Sequence, residues 1–100
     1  MTGQGNGLLY EVKLSQKLKQ AIKDLHRQSI HKGKGQQFLD SLRHIHNRLR
    51  QDPGNFGEPI YRLPALRLLV YQVVVSGIVV HYGVHEEKPL VFLKGMQLLS

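Results

Sequence analysis

The feature that most constrains this chain is a change of hydrophobic period at Asp52–Pro53–Gly54. Ahead of that tripeptide, apolar residues recur every three or four positions, which is the period of a helix face. Behind it, β-branched and aromatic residues come in short runs between turn-forming residues, the texture of strands. Pro cannot continue a helix and Gly supplies a turn, so the helical segment ends there. Helices and strands kept in separate stretches of one chain specify an α+β fold.

The elements follow from the same periods. Leu8, Tyr10, Val12 and Leu14 alternate with Glu11 and Lys13, which predicts a strand over 8–14 with one buried face. Ser15 stands where an N-cap belongs, and Leu18, Ala21, Ile22 and Leu25 follow at helical spacing, with Lys17, Lys19, Lys23 and Arg27 assigned to the other side. Lys32–Gly33–Lys34–Gly35 reads as a basic turn that stops this helix. A second helix is expected over 36–51, with Phe38, Leu42, Ile45 and Leu49 as a narrow apolar seam. Strands are expected near 58–63, 66–75, 78–85 and 90–97, separated by Ser76–Gly77 and by Glu86–Glu87–Lys88–Pro89. The 66–75 segment is apolar on both faces, so it should lie centrally, at least partly covered by helices. The expected architecture is an N-terminal strand, an antiparallel helical hairpin, and a three- to four-stranded antiparallel β-meander packed against the helices.

With 100 residues the chain fits a single domain, 1–100, with 1–7 as a frayed start. A core of that size favours a surface groove over a deep pocket as a site. No cysteine is present, which excludes disulfides and thiolate metal sites. No apolar stretch approaches the ~20 residues of a spanning helix, and the first ten residues lack the pattern of a leader, so the expectation is a soluble cytoplasmic protein without membrane contact. The charge is lopsided. Residues 1–56 hold ten Lys/Arg against four Asp/Glu, a net +6, while residues 57–100 hold four against three, a net +1. An excess confined to one half points to a polyanionic partner, either nucleic acid or an acidic protein.

The segment Gly57–Glu58–Pro59–Ile60–Tyr61–Arg62–Leu63–Pro64–Ala65–Leu66–Arg67–Leu68 lies where the meander begins, just after the helical hairpin. With the later run of Tyr82, Val84, Glu86–Glu87–Lys88, Leu90–Val91 and Lys94–Gly95, it resembles the RelE/ParE toxin superfamily over roughly Tyr10 to Met96. The resemblance implies the toxin component of a type II toxin–antitoxin system, neutralised by a small antitoxin. RelE-like toxins cut messenger RNA on the ribosome, whereas ParE-like toxins poison DNA gyrase and cut nothing. RNA cleavage needs cations on the phosphate and groups that move protons at the 2′-OH and the leaving oxygen. Arg67 matches the family's first meander Arg, and Arg62 lies close to it. The match is partial: Val79 stands where an Arg is usual, and Gly95–Ser100 holds no counterpart of the family's C-terminal His or Tyr. These departures keep open a non-enzymatic reading, as a gyrase-directed toxin or a toxin-like fold that has lost catalysis.

The candidate residues follow. For RNA cleavage the set is Arg67, His81 and Lys94, with Arg62, Arg67 and Tyr82 as the phosphate-binding group. Lys17, Lys19 and Lys23 form the expected basic partner face. Arg62 and Arg67 could instead be neutralised by Glu58 or by a helix-end carbonyl. On a strand, His81, Gly83 and His85 share a face, and Gly83 would leave open space between two imidazoles; the plainer reading is an exposed polar strand face. Tyr61, Tyr71 and Tyr82 read first as sheet packing. His26, His31, His44 and His46 lack metal-ligand spacing, so neither a metal nor a cofactor is expected.

Overall fold

A computed structural model describes residues 9–99; the expected frayed start at 1–7 lies outside them. The order is β1 (Glu11–Lys13), α1 (Gln16–His31), α2 (Gly35–Gln51), β2 (Glu58–Leu63), β3 (Leu68–Val75), β4 (Ile78–His85) and β5 (Leu90–Leu98). Short 3₁₀ turns at Pro53–Asn55 and Pro64–Leu66 join α2 to β2 and β2 to β3. The fold is α+β, with the sheet ordered β1-β5-β4-β3-β2. All neighbours are antiparallel except β1, which runs parallel to β5 with Val12 opposite Val91.

Local chemistry accounts for the boundaries. The Ser15 hydroxyl accepts a hydrogen bond from the Leu18 N–H at 3.1 Å, satisfying one of the donors orphaned at the start of α1. Gly33 adopts φ +72° and closes the helix with its N–H on the Ile30 carbonyl at 2.9 Å. Ser76 and Gly77 both take positive φ, 49° and 78°, the twist that a two-residue hairpin needs.

Two boundaries and one placement differ from the sequence expectation. Among the described residues β1 is Glu11–Lys13, because it pairs with Leu90–Phe92 of β5 before Ser15 turns the chain into α1; Leu8 of the expected strand lies outside them. β3 starts at Leu68 rather than at 66, because Pro64 opens a 3₁₀ turn that ends on Arg67 in the left-handed region, φ 55°. Arg67 is therefore a turn residue, not a strand residue. The middle strand of the sheet is β4; β3 is interior but lies one place from the β2 edge.

The α2 seam packs as its period requires. Phe38, Ile45 and Leu49 are buried against Tyr71, Ile78, Val80, Tyr82 and Val91, with Leu42 half-buried beside them. Alternate residues of β3 and β4, Leu68, Val70 and Val79, turn to the opposite face and are also buried. Part of that burial comes from Gly83: a Cβ there would lie 3.2 Å from Leu68 Cδ1, so the Leu68 side chain rests on the bare glycine backbone.

Candidate functional site

The β2–β3 turn and the β4–β5 turn lie side by side, tied by the Glu86 N–H donating to the Arg67 carbonyl at 2.9 Å. The meander puts Leu68 opposite His85, so every charged residue of the two turns reaches one end of the sheet. There Arg62 donates from Nε to Glu86 Oε2 at 2.6 Å, and Arg67 Nη1 meets Glu87 Oε1 at 2.6 Å. The arginines are thus neutralised by the β4–β5 turn, and not by Glu58, which sits at the far end of β2 opposite Gln72. Both Arg side chains are more than half exposed, 64% and 60%. Glu86 is only 29% exposed, whereas the Arg67–Glu87 pair is open to water on both sides. An exposed pair of that kind contributes about 0–1 kcal/mol, so an incoming anion could displace Glu87.

His85 is the neighbour that sequence reasoning underrated. Its Nδ1 accepts from the Glu87 and Lys88 backbone N–H groups, both at 3.0 Å, which folds the turn around the imidazole. An accepting Nδ1 in a neutral ring leaves the proton on Nε2. The signal was available in principle: a His followed by Glu-Glu-Lys-Pro can cap its own turn, as Asn and Asp do.

The remaining candidates lie elsewhere. His81 is four residues along β4 from His85, about 13 Å at strand spacing, and its Nε2 is engaged with Gln72 Oε1 at 2.8 Å. Lys94 falls in the irregularity of β4–β5 pairing, between Leu93 opposite Tyr82 and Gly95 opposite His81. The fold therefore brings Lys94 near His81 but leaves both away from Arg67. The space expected at Gly83, between His81 and His85, is filled by Leu68.

Tyr82 requires a correction. It is fully buried, its hydroxyl donates to the Pro53 carbonyl at 2.7 Å, and its ring stacks on Tyr71 with centroids 5.3 Å apart. Desolvation by burial pushes its phenol up to about 12, with the Gly57 backbone opposing the shift. A phenol held in the core cannot bind substrate phosphate; it latches the Pro53 turn to the sheet. Tyr71 is packed as expected, whereas Tyr61 is 49% exposed on the edge strand β2.

The basic face of α1 also divides. Lys17, Lys19 and Lys23 are all exposed. Lys19 and Lys23, four apart, share a stripe, while Lys17 lies on the opposite flank of the buried face, because residues two apart on a helix diverge. Among the histidines, His26 stacks on Phe38 at 5.8 Å and His44 meets Phe56 edge-on at 6.0 Å. Among the described residues no group of three His, Cys, Asp or Glu is placed to hold a metal ion, and no helix is long and apolar enough to cross a membrane.

Comparison with known proteins adds no relative: no protein-family model, curated protein or solved structure matches the chain.

Proposed function

We propose that the chain is the toxin component of a type II toxin–antitoxin system that acts by binding its target rather than by cutting RNA. The observation that carries the non-enzymatic half of this reading is the dispersal of the cleavage candidates. Arg67 lies at one end of the sheet with Glu87, His81 lies about 13 Å along β4 with Gln72, and Tyr82 is sealed in the core. General acid–base cleavage needs its groups within hydrogen-bond reach of one phosphodiester. The toxin half rests on the strand–helix–helix–meander order and on the 57–68 segment that carries the resemblance. Its partners would be a small antitoxin and a cytoplasmic target such as DNA gyrase.

The expected result is growth arrest on expression in bacteria, relieved by a small acidic partner, with gyrase supercoiling inhibited and messenger RNA on translating ribosomes intact. Arrest should survive Arg67→Ala and His81→Gln in folded protein. Cleavage of translated messenger RNA that disappears with Arg67→Ala would overturn the binding reading.

One observation favours the ribosome-dependent mRNA interferase as a second reading: His85 stands beside Arg67 with its Nε2 proton uncommitted among the described residues. On that reading Arg67→Ala and His85→Gln each slow cleavage by about 10²–10³, the cost of losing a charge-stabilising or proton-transferring group. His81→Gln should then have little effect.

An acidic antitoxin should meet the α1 stripe first. Charge reversal at Lys19 and Lys23 is expected to cut the association rate several-fold at low salt, with a smaller change in dissociation. Reversal at Lys17 should do less, being on the other flank. Equal effects from all three lysines would show that the long-range field, and not the stripe, steers the encounter.

A further inference from the structure

At the end of β4 remote from the arginines, a cavity of about 140 Å³ opens between the α1–α2 turn, the β3–β4 turn and the end of β5. Its floor is apolar, from Phe38 and Ile78; its walls carry Ser29, Ser41, Lys32 and Lys34. A single water needs roughly 10–15 Å³ of such space, so the cavity has room for a group of several heavy atoms.

We propose that this cavity binds a phosphoryl group, either as inorganic phosphate or as the terminal phosphate of a small phosphomonoester. Ser41 is the first ground. It is 7% exposed, it lines the cavity, and its hydroxyl has no hydrogen-bond partner among the described residues. A buried hydroxyl without a partner is costly and calls for one. Ser29, equally buried, spends its proton on the Leu25 carbonyl at 2.9 Å and can only accept, which leaves Ser41 as the buried hydroxyl of the wall with a proton to give; Gln37 and Ser76, which also line the cavity, are exposed to water.

The second ground is the start of α2. The N-cap Lys34 makes no side-chain cap and the first turn holds no acidic residue. The positive end of a 17-residue helix is therefore uncompensated at the rim of the cavity. At the adjoining end of α1 the Ser29 carbonyl accepts from Lys32 and Lys34 and the Ile30 carbonyl from Gly33, so these two oxygens are already engaged by the turn.

Charge is the third ground. Neither Lys32 nor Lys34 has a carboxylate within ion-pair distance among the described residues, in contrast to Arg62 and Arg67 at the other end of β4. The nearest acid on α2, Asp40, is held by Gln36 at 2.9 Å and by Arg43 at 3.3 Å. Two ammonium groups, a buried hydroxyl and a helix N-terminus suit a tetrahedral dianion with several acceptor oxygens better than a flat monoanion.

The test is an NMR titration of the full chain with inorganic phosphate, a nucleoside 5′-monophosphate, the matching nucleoside and acetate, following the Ser41 and Gly77 amides. Phosphate or the monophosphate is expected to saturate with a dissociation constant of about 1 mM or tighter. The nucleoside and acetate should not saturate. Tighter binding of the monophosphate identifies a phosphomonoester as the ligand, and equal or tighter binding of phosphate identifies the free ion. The double variant Lys32→Ala, Lys34→Ala should weaken binding at least tenfold, and Ser41→Ala several-fold. Both lysines are exposed, so the double variant keeps its fold, and an unchanged melting temperature without phosphate checks this. Titrations that stay linear, acetate binding as tightly as phosphate, or full affinity in the double variant would each overturn the proposal.

Discussion

Ile45→Asp is expected to leave most of the protein unfolded at room temperature. Ile45 is 2% exposed on the α2 seam, in one cluster with Phe38, Leu49, Tyr71, Val80 and Tyr82. The substitution removes a buried aliphatic side chain, worth about 2–5 kcal/mol, and puts an unpartnered carboxyl in its place. The combined loss, about 5 kcal/mol or more, matches the whole stability of many domains of this size. Leu42→Asp, on the same seam but half-buried, should cost several kcal/mol less, since its carboxylate can turn toward water. Urea unfolding followed by circular dichroism separates the two. Near-wild-type stability for Ile45→Asp would mean that α2 presents a different face to the sheet.

Alkaline unfolding should carry the signature of Tyr82. In the folded protein burial raises its phenol to about 12 from the ordinary 10.0. Below pH 10 both folded and unfolded chains hold the proton, and the contribution is whole. Between pH 10 and 12 the unfolded chain releases its proton while the folded one keeps it, so stability falls as pH rises. Two pH units correspond to about 2–3 kcal/mol. Tyr82→Phe should flatten that part of the profile. It should also cost about 1–3 kcal/mol at neutral pH, because the Pro53 carbonyl loses its donor. An equally steep loss in Tyr82→Phe would assign the alkaline transition to other groups.

Periodicity made the elements legible, because each rests on interactions between near neighbours. Phe38, Leu42, Ile45 and Leu49 announce a helix face wherever it docks, and Ser76–Gly77 announces a hairpin without reference to its partners. Arg67 was misplaced for a local reason of another kind. A left-handed turn residue is ordinarily Gly or Asn, so an Arg between Leu66 and Leu68 carries no sign of it. The candidate site was the least legible part. Arg62, Arg67, His81 and Lys94 could be named from residue type and resemblance, but their separation depends on strand register. The pairing of two arginines with Glu86 and Glu87 depends on two turns that meet only in the folded sheet. Tyr82 shows the same limit: an aromatic on a strand can face either way, and only the stack on Tyr71 decides it.

The parallel pairing of β1 with β5 has a consequence for biosynthesis. Val12 and Val91 are partners although almost the whole chain lies between them. On a ribosome the helical hairpin and the β2–β4 meander can form while β1 still has no strand to join. Closing so long a loop is slow, and contacts of high sequence separation govern folding rates. The short strand that is made first is therefore incorporated last, after β5 has emerged from the exit tunnel. Until then the nascent chain exposes an unpaired β-edge to whatever is near.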